Sequence, residues 1–130
     1  MKTAKMTFIA VMLMLFTACS SDLSREQRSV RKAAEKCYEY LQDGKYDKFV
    51  GEIAYADSMS EDYRSQMVDL IKEFAASEEL RHGKLMKVEA IGEDIKDSLA
   101  QVYLQISYAD STSEEVGVPM VKIRKRWKMQ

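Results

Sequence analysis

The chain has 130 residues and a net charge of −1, from 20 basic and 21 acidic side chains. That length holds one domain at most, and that charge excludes both a strongly basic nucleic-acid binder and an acidic disordered tail. Two cysteines cannot build a disulfide scaffold or a four-cysteine zinc site, one histidine excludes histidine-rich metal centres, and 46% hydrophobic residues suffice for a packed core.

The first segment reads as an export signal over residues 1–18. Lys2 and Lys5 give a positive start, and an apolar run of 11 residues follows from Met6 to Phe16. A helix needs about 20 residues to span a bilayer, so the run fits a cleavable leader and not a membrane span. It ends Leu15-Phe16-Thr17-Ala18-Cys19, which resembles a bacterial lipobox. The resemblance implies cleavage before Cys19, acylation of its thiol with chains such as palmitate, and a place in the bacterial cell envelope, anchored by lipid to the outer membrane. Each buried methylene of such chains contributes about 0.8 kcal/mol, so several chains hold firmly. Residues 19–23 then form a polar tether through Ser20, Ser21 and Asp22. Loss of Lys2 and Lys5 leaves 18 basic against 21 acidic groups, or −3. An ordinary secretory signal with an incidental cysteine is the alternative.

Residues 24–130 read as a single domain. Ser24-Arg25-Glu26-Gln27 matches a capping box, with Ser at the N-cap and Gln three residues on. Val30, Ala33, Ala34, Cys37, Tyr38 and Leu41 recur at helical spacing, and Gly44 supplies a stop. Tyr46, Phe49, Val50 and Ile53 predict a short second helix. Ser60 is a plausible N-cap for a third, whose stripe is Tyr63, Met67, Leu70, Ile71 and Phe74 and whose end is Gly83.

After Gly83 the period changes from 3.6 to 2. Met86, Val88 and Ala90 alternate with Lys87 and Glu89, whereas residues 92–98 are polar apart from Ile95. The clearest strand is residues 100–108, with Ala100, Val102, Leu104, Ile106 and Tyr108 on one face and Gln101, Tyr103, Gln105 and Ser107 on the other. Asp110-Ser111-Thr112 is a turn. Val116 and Val118 keep one phase and Val121 and Ile123 the other, which predicts a bulge near Pro119. Arg124-Lys125 lacks the Asn or Gly of a tight hairpin, so either that turn is loose or the last strand continues through it. Helices first and strands after them mean an α+β domain, three helices packed on one face of a curved antiparallel sheet.

Residues 33–46, 102–110 and 119–129, the last with Lys122 and a terminal Trp127-Lys128, resemble small bacterial lipoproteins of unknown function with a cone-shaped nuclear-transport-factor-2-like, or cystatin-like, domain. The wider fold hosts isomerases, dehydratases, cyclases and many binding or oligomerisation domains, so it assigns no function alone.

No P-loop, dinucleotide fingerprint, paired CxxC or HExxH occurs, so no cofactor, metal or catalytic residue is expected. His82, at the end of the third helix, reads as a helix-end cation. Cys37 lies on an apolar stripe and reads as a small hydrophobe. Tyr38, Tyr63 and Tyr108 sit on apolar stripes, and no Asp or Glu lies on the apolar face of residues 100–108, where a base with a raised pKa would be wanted. The expected function is therefore non-catalytic. One form is a pocket lined by Tyr38, Met67, Val102, Leu104 and Tyr108 for a small apolar ligand. Another is an envelope protein partner on the face of Gln101, Tyr103 and Gln105. The alternative is an isomerase- or dehydratase-like enzyme using a pocket tyrosine and a loop carboxylate. Lys122, Arg124, Lys125, Arg126 and Lys128 crowd the C-terminus with Trp127 between them. They form a candidate patch for anionic headgroups, or else a solvated edge that resists strand-to-strand aggregation. Nucleic acid is not an expected partner of an exported, net-acidic chain.

Overall fold

The structure, a computed structural model, describes residues 24–130. The expected leader, the candidate acylation residue Cys19 and the expected tether lie outside the described residues. Helix α1 spans Arg25–Gln42, α2 Tyr46–Gly51 and α3 Glu61–His82, with a single 3-10 turn at Ala56–Ser58. Strands β1 (Leu85–Lys96), β2 (Leu99–Tyr108), β3 (Ser113–Ile123) and β4 (Arg126–Met129) follow as an antiparallel meander in the order β1-β2-β3-β4. No helix of the described residues is long and apolar enough to cross a membrane.

Helix α1 begins with a reciprocal cap. The Gln27 amide donates to Ser24 Oγ at 3.1 Å, and the Ser24 amide donates to Gln27 Oε1 at 2.8 Å. Val30, Ala34 and Cys37, at i, i+4 and i+7, are its buried stripe. That stripe meets the inner face of the sheet, built from Ala100, Val102 and Leu104 of β2, Val118 and Met120 of β3, and Trp127 and Met129 of β4. Phe49 and Val50 of α2 close the core. Burial of this continuous apolar surface is the main stabilising term.

Polar side chains of α1 also tie it along β1. Arg31 bonds Glu93, Glu35 accepts from the Ala90 amide at 2.9 Å, and Gln42 donates to the Met86 carbonyl at 3.0 Å. As α1 advances, its partners on β1 recede, so helix and strand run in opposite directions. The helix thus shields an edge strand that would otherwise offer its backbone to another chain. At the far edge, the Ala54 amide donates to the Met129 carbonyl and the Met129 amide to Glu52, an isolated bridge that holds β4. Ile53 therefore belongs to this bridge and not to the second helix.

Three other expectations are corrected. Residues 92–96 are strand, and β1 is 12 residues long. Its far half looked polar because an inward position holds Glu93, which Arg31 satisfies. The bulges lie in β1, between Leu85 and Lys87 and between Ala90 and Gly92, where the sheet bends. None occurs at Pro119, because Met120 carries the inward phase of Val116 and Val118 while Val121 and Ile123 face outward. Pro119 costs no ladder bond. Its carbonyl accepts from Gln130, so its nitrogen points to the same side, where β4 ends. Finally, Ile123 pairs with Arg126, so Arg124-Lys125 is a tight two-residue turn, with φ of 51° and 68°.

Helix α3 starts at Ser60, whose Oγ accepts from the Tyr63 amide, but none of its residues is buried. Leu70 and Phe74 of its expected stripe are each 59% exposed. The helix covers the domain only partly, and a cavity lies behind it.

Candidate functional site

Helices α1 and α3 end at the same pole of the domain, each at a glycine with positive φ: Gly44 at 74° and Gly83 at 83°. Gly83 also has ψ of −173°, a region essentially restricted to glycine, and a Cβ there would lie 3.0 Å from Ala109 Cβ. This close approach swings the chain from α3 straight into β1 beside the β2–β3 turn.

Between the two helices and the sheet at that pole lies a cavity of about 380 Å³. Ile106 and Tyr108 of β2 and Val116 of β3 form its floor. Tyr38 and Leu41 of α1 and Tyr46 of α2 form one wall, and Phe74 and Ala75 of α3 the other. Its acids are Asp43, Glu78, Glu79 and Glu114, against Lys84 as the cation among the lining residues. The interior is apolar and aromatic and the charge is negative, which suits an apolar body carrying a positive group.

Polar groups at the mouth are bonded to one another. Tyr108 Oη donates to Glu114 Oε1 at 2.9 Å. Burial, followed by that bond, raises the Tyr108 phenol above its ordinary range, so it stays a protonated donor. Burial also raises the Tyr38 phenol, whose ring meets Phe49 edge-on at 5.9 Å. The His82 ring lies against Tyr108 at 5.0 Å between centroids. Its Nδ1 is 3.4 Å from Asp110 Oδ2, and its Nε2 is 3.7 Å from Glu78 Oε2. Hydrogen bonds from the Thr112 hydroxyl and amide, with a smaller contribution from His82, hold the Asp110 carboxyl below its usual range. His82 is the last residue of α3, as its spacing implied, but two carboxylates and a tyrosine ring hold it in place.

The expected lining is partly displaced. Tyr38 and Tyr108 line the cavity. Val102 and Leu104 do not, because both are fully buried in the core, where side chains fill the space between α1 and the sheet. Met67 rests on the edge of that core, away from the cavity. The basic cluster is also divided. Lys122 Nζ is 2.6 Å from Glu26 and Lys128 Nζ is 3.6 Å from Glu52, so both are bound within the domain, while Arg124, Lys125 and Arg126 stay exposed. On the outer sheet face Tyr103 stands between Gly92 and Gly117 and donates to Asp94 at 3.1 Å. Gln101 folds over Gly117, and Gln105 is exposed. Burial, then the Glu52 charge, pushes the Cys37 thiol up to about 12, which makes it inert.

Sequence reasoning missed Glu78, Glu114 and Phe74 as site residues. Phe74, Glu78 and His82 recur every four residues, so one face of α3 presents all three, and that spacing was readable. Glu114 was not, because its neighbour Ile106 lies on another strand.

No protein-family model matches the chain, and no curated protein matches it. A crystal structure of a Campylobacter jejuni protein named as a nuclear-transport-factor-2-like transpeptidase aligns with a TM-score of 0.59, covering 74% of this chain and 92% of that one at 15% identity. The chain has the nuclear-transport-factor-2-like fold. In this nuclear-transport-factor-2-like domain the three helices pack on a four-stranded antiparallel sheet, and the cavity opens at the end where α1 and α3 terminate. Identity of 15% carries the fold and not the chemistry.

Proposed function

We propose that the protein is a lipid-anchored, extracytoplasmic binding protein of the bacterial envelope whose nuclear-transport-factor-2-like domain takes up a small apolar molecule bearing a positive charge. The observation that carries the binding is the cavity: about 380 Å³, aromatic and aliphatic inside, with four acids against one lysine. Pockets for small ligands start near ~300 Å³ and combine apolar walls with a few placed polar groups. The lipid anchor at Cys19 rests on the leader and its Thr17-Ala18-Cys19 end. Labelled palmitate incorporating into the chain but not into Cys19→Ala supports it.

The binding is tested by calorimetry and thermal shift with three probes of one shape: cyclohexylmethylammonium, cyclohexylmethanol and cyclohexanecarboxylate. The ammonium should bind best. Glu78→Gln with Glu114→Gln should erase that preference, and Ala75→Trp should block all three probes. Equal binding of the carboxylate, or binding that survives Ala75→Trp, refutes the reading.

One observation favours an isomerase- or dehydratase-like activity as a second reading: the Tyr108–Glu114 pair faces an apolar cavity. Such chemistry needs a proton donor at the substrate oxygen and a carboxylate base at the carbon that loses its proton. Isomerisation of a β,γ-unsaturated ketone that is lost in Glu114→Gln would establish it. The transpeptidase in the neighbour's name finds no activated thiol in Cys37.

A further inference from the structure

The pole opposite the cavity has a different character. Lys122, two residues before the β3–β4 turn, is ion-paired to Glu26 in the first turn of α1. The start of α1 and the tip of that hairpin are therefore neighbours. The β1–β2 turn joins them, since the Lys122 amide donates to the Ser98 carbonyl at 2.8 Å. This pole exposes Arg25, Lys96, Arg124, Lys125 and Arg126 against Asp97. None of Arg124, Lys125 and Arg126 is in an ion pair among the described residues. Beside them Leu99 is 50% and Ile123 is 40% exposed on the outer sheet face. Basic side chains around exposed aliphatic ones are what an anionic lipid surface binds.

Chain connectivity points the same way. Ser24 opens α1 at this pole, and it follows Cys19 by five positions, a reach of no more than about 18 Å. Helix α1 then carries the chain about 24 Å from Glu26 to Gln42, toward the cavity. The acids of the cavity mouth and the cations of the hairpin tip thus sit at opposite ends of α1. A negatively charged bilayer attracts one end and repels the other. The tip also places Arg124 and Lys125 at positive φ, where Asn-Gly would suit the backbone better.

We infer that the pole bearing Arg124, Lys125, Arg126, Leu99 and Ile123 docks on the anionic headgroups of the membrane that holds the lipid anchor, so that the cavity mouth faces away from it. This orientation rests on the proposed anchor at Cys19.

The test uses the full chain, purified from bacterial membranes and placed in vesicles of phosphatidylcholine alone or with one-third phosphatidylglycerol. Single cysteines replace Ser98 at the docking pole and Lys87 at the cavity pole and carry a fluorophore. Cys37 is buried and does not label. With a headgroup nitroxide lipid as quencher, the Ser98→Cys label should be quenched and the Lys87→Cys label should not, on the anionic vesicles only. Each cation near such a surface changes the docked ratio about five-fold, so Arg124→Glu with Lys125→Glu and Arg126→Glu should lower it at least a hundred-fold. High salt on the unaltered chain should do the same. Flotation with the vesicles reports the anchor separately. A chain that floats with both labels quenched alike, or with Ser98→Cys quenched equally on neutral vesicles, overturns the docking and leaves the anchor standing. A chain that does not float overturns the anchor and the docking with it.

Discussion

Replacing Arg124-Lys125 with Asn-Gly should stabilise the domain. Ile123 and Arg126 are paired across a two-residue turn, and both turn residues take positive φ, 51° and 68°. For an ordinary L-residue the left-handed region costs roughly 1–2 kcal/mol, because Cβ crowds the following carbonyl. Asn relieves part of that cost and Gly all of it. Glycine returns about 0.5–1 kcal/mol through its greater freedom in the unfolded chain. The net gain is about 1–2 kcal/mol, which for a domain of this size raises Tm by about 5–10 °C. Both side chains are exposed, so no packing is lost. Urea unfolding followed by Trp127 fluorescence should show a higher midpoint at unchanged m-value. Lys125→Val is the counter-test, since a β-branched residue tolerates that φ worst, and it should lose about 1 kcal/mol or more. An Asn-Gly variant no more stable than the starting chain would refute the turn geometry. If the docking pole is as inferred, the stabilised variant should also dock less well, a trade of stability against function.

Gly83→Ala should destabilise by about 1–3 kcal/mol, since its backbone lies where only glycine is at ease and its Cβ would press on Ala109; thermal melts would read the loss. The Arg31–Glu93 pair (2.7 Å, to Oε2) should respond asymmetrically: Glu93 is 3% exposed and its Oε1 has no hydrogen-bond partner among the described residues, whereas Arg31 reaches solvent. Arg31→Met should therefore cost about 2–4 kcal/mol, more than Glu93→Met, and Arg31→Met with Glu93→Met should recover part of it in a double-mutant cycle. The Cys37 thiol has a native pKa raised to about 12 from an ordinary value of 9.0, so the stability tied to it is complete below pH 9 and falls as pH climbs toward 12. The pH profile of Cys37→Ala should be flatter than that of the unaltered chain between pH 9 and 10, and Ellman's reagent should reach Cys37 only on unfolding.

Much of the fold was readable because its signals are local. Ser24 and Gln27 cap α1, Ser60 caps α3, and Gly83 ends it, each through atoms a few residues apart. Alternation from Ala100 to Ile106 defined β2 because one face is buried and the other is not. The errors arose where distant residues decide. Glu93 looks like a loop residue until Arg31, 62 positions away, makes an inward carboxylate tolerable. Val102 and Leu104 look like a pocket lining until Val30, Ala34 and Cys37 of α1 fill the space beside them. The cavity forms instead where α3, with no buried residue, stands off from the sheet.

Read by itself, the chain determined its order of helices before strands and the caps that start and stop them, because each depends on hydrophobic period or on hydrogen bonds within one turn. Only the tertiary structure decided that Lys122 and Lys128 are bound to Glu26 and Glu52 while Arg124, Lys125 and Arg126 stay exposed, and that Glu78, His82, Tyr108 and Glu114 gather around one cavity. These groupings join residues far apart in the chain. Which charges meet is set by the register of the sheet and the direction in which α1 crosses it, and no local pattern records either.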